Sequence, residues 1–153
     1  MTQNAIDFLS TLLCLTSCNE REEEEPQSEH DVRDCTIHDF HPDFVKAVED
    51  FCLGFRNFLA ARGFDLDRLS ELERSFGSNV YFSQSGHGCG FWDESSELGE
   101  QLDRQLEWFC RSDLRFQELE HMLWLEDGTI HLAIVNELRD KYLKEYFDYQ
   151  PLP

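Results

Sequence analysis

The sequence predicts an α+β domain, about four helices with a small antiparallel sheet built from two β-hairpins. Three observations predict it. Apolar residues recur at helical spacing over 44–59 and over 98–109. β-Favouring aromatic runs flank a glycine-rich stretch near 86–90, and Asp127-Gly128 sits between two apolar segments as a two-residue turn signal. At 153 residues the chain has the length of one domain and can bury a substantial core.

Taken in order, residues 5–18 carry Ala5, Ile6, Phe8, Leu9, Leu12, Leu13 and Leu15, a pattern that fits either a short helix or a buried strand. This N-terminal element, 1–18, gives way over 19–34 to Glu20-Arg21-Glu22-Glu23-Glu24-Glu25-Pro26 and further polar residues, which read as a solvated, mobile acidic loop. From 35 to 153 the chain reads as a single α+β domain. His41-Pro42-Asp43 opens a helix with proline in the first turn and apolar residues at 44, 45, 48, 51, 52, 55, 58 and 59, and Gly63 closes it. Asp65 caps a second, short helix with Leu66, Leu69, Leu72 and Phe76 on one stripe and Gly77 at its end. Asn79-Val80-Tyr81-Phe82-Ser83 and Gly90-Phe91-Trp92-Asp93 then predict the first hairpin, turning around Gly86-His87-Gly88. Ser95 or Ser96 caps a third helix reaching about Cys110, and Ser112-Asp113 marks a break. The second hairpin turns at Asp127-Gly128, and a last helix runs from about 135 to 147, stopped before Pro151.

Charge narrows the function. Against 13 Lys and Arg stand 32 Asp and Glu, a net charge of −19 that excludes direct nucleic-acid binding and repels an anionic membrane. A partner is therefore expected to be basic. At 41% hydrophobic and 13% aromatic, the sequence is too apolar for a disordered acidic tail. Leu15-Thr16-Ser17-Cys18 has the outline of a lipoprotein cleavage box, but residues 1–7 hold no Lys or Arg, so no secretory leader is expected. The cysteines at 14, 18, 35, 52, 89 and 110 could form a framework of bridges. However, Cys52 and Cys110 fall inside amphipathic patterns, which points to reduced thiols and a cytoplasmic protein.

One motif stands apart. The octapeptide Gly86-His87-Gly88-Cys89-Gly90-Phe91-Trp92-Asp93, preceded by the aromatic run at 80–82, resembles the common core of a widespread group of small bacteriophage proteins. The similarity extends to Asp50-Phe51-Cys52, to Leu98, Gly99 and Leu102, and to the late Asp-Gly hairpin, about two thirds of the chain. Gln84-Ser85 stand where that group shows a basic residue and an amide. The resemblance implies a phage or mobile-element origin and a host-directed role in a bacterial cytoplasm, and it carries no particular activity. Physically, three glycines in five residues either form an anion-binding nest or a structural turn that buries Phe91 and Trp92. The negative field of the chain favours the turn.

Metal and catalytic readings find little support in spacing. Cys35, His38 and His41 fall three apart and match no paired zinc pattern, so neither a metal nor a cofactor is expected. Cys89 with His87 lacks an orienting third group and an oxyanion hole, so no catalytic residue is assigned.

The third helix is more informative. Glu97, Glu100, Asp103 and Glu107 keep to one flank at ~100° per residue, opposite Leu98, Leu102, Leu106 and Phe109. Such a carboxylate stripe can imitate a row of phosphates. The leading expectation is a DNA-mimicking inhibitor of a basic DNA-binding host protein, with Asp93, Glu94 and the acidic run Glu22, Glu23, Glu24 and Glu25 joining the stripe as partner-binding residues. One alternative is an interaction module or homodimer using an aromatic surface around Tyr81, Phe82, Trp92 and Trp124. The other is a metal- or ligand-binding enzyme at the turn of Gly86, His87, Gly88, Gly90, Phe91 and Trp92.

Overall fold

The computed structural model describes residues 1–19, 34–85, 88–110 and 123–132. The acidic run at Glu22 to Glu25, Gly86 and His87 of the motif, the break at Ser112-Asp113 and the expected C-terminal helix lie outside the described residues. Within them the fold is mostly helical α+β. It has α1 (Gln3–Asn19), α2 (Pro42–Ala61), α3 (Phe76–Ser85) and α4 (Glu97–Cys110), followed by a two-stranded antiparallel sheet of β1 (Leu123–Glu126) and β2 (Thr129–Leu132). Short 3-10 turns at Ile37–Asp39, Leu66–Glu71 and Phe91–Asp93 link the helices.

α1 is a helix, which resolves the open choice for the N-terminal element. It buries Ala5, Phe8, Leu9 and Leu12 in the same core as the rest of the chain. α2 starts as its proline dictates: His41 Nδ1 accepts the Asp43 amide at 3.2 Å while Pro42, which has no N–H to satisfy, takes the first turn. Its buried face, Phe44, Val48, Phe51, Cys52, Phe55 and Leu59, follows the predicted spacing. Phe55 is the hub of an aromatic core, with Phe76 of α3 stacked at 5.5 Å, Phe91 of the turn between α3 and α4 at 6.2 Å and Phe109 of α4 at 5.4 Å. A buried phenylalanine contributes ~1.5–3 kcal/mol, so this cluster anchors four segments to one centre.

The expected short second helix is only a 3-10 turn, capped by Asp65 as predicted and ended at Leu72. Phe76 and Gly77 do not close it. They begin α3 instead, where a Cβ on Gly77 would stand 2.0 Å from the carbonyl oxygen of Asn4 in α1. The two helices thus cross backbone to backbone, and Thr11 and Ser78 share a hydroxyl hydrogen bond of 2.8 Å at the crossing.

The first predicted hairpin does not form. Asn79 to Ser83 are helical within α3, and Phe91–Asp93 make a single 3-10 turn. The physical reason is burial: Phe76, Asn79, Val80, Tyr81, Ser83, Gln84 and Ser85 are all shielded, so α3 has no wet side and no helical period to read. The second hairpin forms as predicted, with Asp127 at φ 50° and Gly128 at φ 75°, the two left-handed positions of a tight hairpin turn. It docks on the head of α2 through a parallel bridge between Phe40 and Ile130, where His41 N–H donates to the Ile130 carbonyl at 2.9 Å.

Candidate interaction surface

The motif turn and the acidic helix are neighbours in sequence, yet their carboxylates have opposite fates. The turn comes first. Gly90 has φ 153°, and a Cβ there would meet Ser83 Oγ at 2.4 Å and the Ser83 backbone at 2.9 Å. That close approach lets Ser83 Oγ accept the Phe91 amide at 2.9 Å and sends the Phe91 ring into the core. Asp93 Oδ1 then accepts the Gly90 amide at 2.7 Å, folding the turn back on itself.

Arg74, in the loop before α3, clamps this turn. Its Nη1 and Nη2 donate to Asp93 Oδ1 and Oδ2 at 3.0 and 3.2 Å, while Nη1 also reaches Asn79 Oδ1 at 3.1 Å and the Gly90 carbonyl at 3.4 Å. The Arg74 guanidinium and the Gly90 amide hold the Asp93 carboxyl below its usual range, and the same hydrogen bonds raise Arg74. Behind them Glu94 is 9% exposed and accepts three donors: the amides of Glu73 at 2.8 Å and Arg74 at 3.0 Å, and Asn79 Nδ2 at 2.7 Å.

These contacts correct two expectations. Glu94 is turned inward, its oxygens accepting two part-buried backbone amides and the buried Asn79 side chain, and Asp93 is paired with Arg74. Trp92 is not buried with Phe91 but stands 49% exposed, and Tyr81 is not part of a surface patch. It is fully buried, with its ring edge-on to Phe8 at 5.2 Å. Gly88 is exposed with φ 74°, and the residue between it and Gly90, Cys89, is half-buried, which pushes its thiol up and disfavours the thiolate. Cys35, His38 and His41 are not brought together: among the described residues no three His, Cys, Asp or Glu side chains are placed to hold a metal ion.

α4 presents the opposite picture. Leu98, Leu102, Leu106 and Phe109 are buried as predicted, and Glu97, Glu100 and Glu107 face water, with Asp103 half-buried between the two faces. Arg104 lies 3.8 Å from Glu100, with both side chains about seven-tenths exposed, so the pair neutralises little. The Ser95 hydroxyl hydrogen-bonds Glu73 Oε1, which brings a further acidic side chain to the start of the helix. Elsewhere Lys46 pairs with Asp50 and Arg68 with Glu71, while Arg56 lies over Phe76, so the cations of the described residues are already engaged.

One residue escaped the sequence reading. Trp108 is 56% exposed on the outer side of α4, and the guanidinium carbon of Arg62, at the end of α2, sits 4.4 Å from the centre of its ring. The signal was present, since eleven residues after Glu97 is a rotation of only ~20° at ~100° per residue, which puts the indole on the wet face. No protein-family model, curated protein or solved structure matches the chain. Among the described residues no helix is long and apolar enough to cross a membrane.

Proposed function

We propose that the chain is a non-enzymatic inhibitor that imitates DNA. It is of phage or mobile-element origin, acts in a bacterial cytoplasm, and occupies the DNA-binding cleft of a host restriction, repair, recombination or CRISPR effector. The observation that carries this reading is the outer face of α4, where Glu97, Glu100 and Glu107 are exposed and, among the described residues, the cations beside them are Arg104, in a loose, exposed pair with Glu100, and Arg62, engaged on the Trp108 ring. From Glu97 to Glu107 the helix advances ~15 Å at ~1.5 Å per residue, the length of roughly four to five nucleotide steps of one strand. Like charges at helical spacing repel by a few tenths of a kcal/mol per pair, a repulsion that the helix N-terminus offsets for Glu97 and Glu100 in the first turn and that a cationic partner relieves along the rest of the stripe.

The test is capture. Immobilised protein is exposed to bacterial lysate freed of nucleic acid at near-physiological salt, and the retained proteins are challenged with added DNA. The expected result is a DNA-binding protein that DNA releases, with retention falling as salt rises. The E97Q/E100Q/E107Q variant should retain at least about tenfold less while melting within a few degrees of the wild type, since relief of repulsion and loss of the first-turn charges oppose each other. Retention that ignores DNA, salt and the three substitutions would overturn the reading in favour of an uncharged contact.

A further inference from the structure

A carboxylate row accounts for phosphates but not for the indole beside it. Trp108 lies on the face of α4 that also carries Glu97, Glu100 and Glu107, and it is the most exposed aromatic side chain of that helix. Arg62 covers one side of the ring at 4.4 Å and reaches the Phe58 ring at 5.4 Å, so α2 holds the indole by a cation–π contact. A side chain fixed before docking loses less entropy on binding, and fixed tryptophans are the residues that anchor interfaces.

On a duplex the phosphates face outward and the bases are stacked inside, so an aromatic ring projecting beside a phosphate row has no counterpart. On a single strand the bases splay out next to the backbone, and proteins that bind such strands pair a cationic groove with aromatic platforms on which bases stack. We infer that Trp108 takes the place of a stacked base, and that the partner class is a protein that binds single-stranded nucleic acid through a cationic, aromatic-lined groove. This inference rests on the DNA-mimic reading of the same face. The groove supplies charge complementary to the glutamates and a flat aromatic surface complementary to the indole, with Arg62 as a positioning residue on the far side of the ring.

The test is competition. Two probes are used: an OB-fold single-strand-binding domain loaded with fluorescent oligothymidylate, and a helix-turn-helix repressor on its labelled operator duplex. The wild-type chain is expected to displace the oligothymidylate at lower concentration than the duplex. W108A and W108L should each weaken that displacement about tenfold or more, and W108F should restore most of it, because a ring and not mere apolarity is required. Loss of the exposed cation–π contact should lower the melting temperature by no more than a few degrees, which far-UV circular dichroism checks. The inference is overturned if W108A competes like the wild type or if the duplex is displaced as readily. When E97Q/E100Q/E107Q still loses competition in that case, only the role of Trp108 falls. If the wild type displaces neither probe, the single-strand inference falls while the DNA-mimic reading stands or falls on the capture experiment; if the triple variant competes undiminished, both fall.

Discussion

Arg74 and Asp93, nineteen residues apart, meet in a two-pronged ion pair of 3.0 and 3.2 Å that ties the loop before α3 to the turn before α4. The pair is only part of the joint. The same guanidinium lies over the Phe82 ring at 5.3 Å, and Glu94 behind it accepts the Arg74 amide, so one arginine is held through its backbone, its plane and its charge. The Gly-x-Gly-Phe-Trp-Asp segment is therefore a piece of architecture. Gly90 permits the approach, Phe91 fills the core and Asp93 receives the clamp.

Asp93→Asn keeps an oxygen for the Gly90 amide but removes the charge facing Arg74. The loss at neutral pH should be about 0.5–1 kcal/mol, since both side chains are about one-third exposed. The folded state holds the Asp93 carboxyl below its ordinary value of 3.8. Its contribution is thus complete above that value and disappears as pH falls through the folded one. Thermal melts from pH 7 downward should show the wild type and D93N converging below about pH 3.8, and curves that stay parallel would remove the ion pair from the account.

Two glycines of the motif make a paired comparison. At Gly90 a methyl group would press on the Ser83 backbone at 2.9 Å, whereas at Gly88, with φ 74°, nothing lies within 4 Å. Gly88→Ala should cost about 1 kcal/mol for the left-handed backbone alone. Gly90→Ala should cost about 3 kcal/mol or more, because steric overlap with fixed backbone adds to it. Urea titrations of both variants give the difference directly, and equal midpoints would mean that the turn does not pack on α3 as described.

Where local chemistry decides structure, the sequence was readable. Pro42 and the apolar spacing set α2, the stripe of leucines set α4, and Asp127-Gly128 set the hairpin. α3 was not readable for the same reason that α4 was. An element buried all round carries no contrast between faces, and Val80, Tyr81 and Phe82 then read as β-favouring. The division of the acids was equally hidden. Composition counts Glu94 and Glu97 alike, and only packing reveals that one accepts three internal donors while the other faces water. Trp108 needed no packing to be found, only the helical rotation that puts it beside Glu97.

Glu94 separates architecture from recognition most sharply. Truncation to alanine would leave the part-buried amides of Glu73 and Arg74 and the buried Asn79 side chain short of their acceptor. An unsatisfied buried donor costs about 1–3 kcal/mol and a part-buried one less, so E94A should lose about 2 kcal/mol or more, a large share of the stability of a small domain. Glu94→Gln keeps one acceptor oxygen and replaces the other by a donor that faces donors, so it should fall between E94A and the wild type. Glu97→Gln, three residues on, removes an exposed charge that its acidic neighbours repel and the helix N-terminus attracts, so the melting temperature should change little. In a partner-binding assay at a temperature where all the variants are folded, the order should reverse, with E97Q weakening binding and E94Q leaving it intact. If E94Q weakened binding as much as E97Q without lowering the melting temperature, the buried carboxylate would belong to the interface after all.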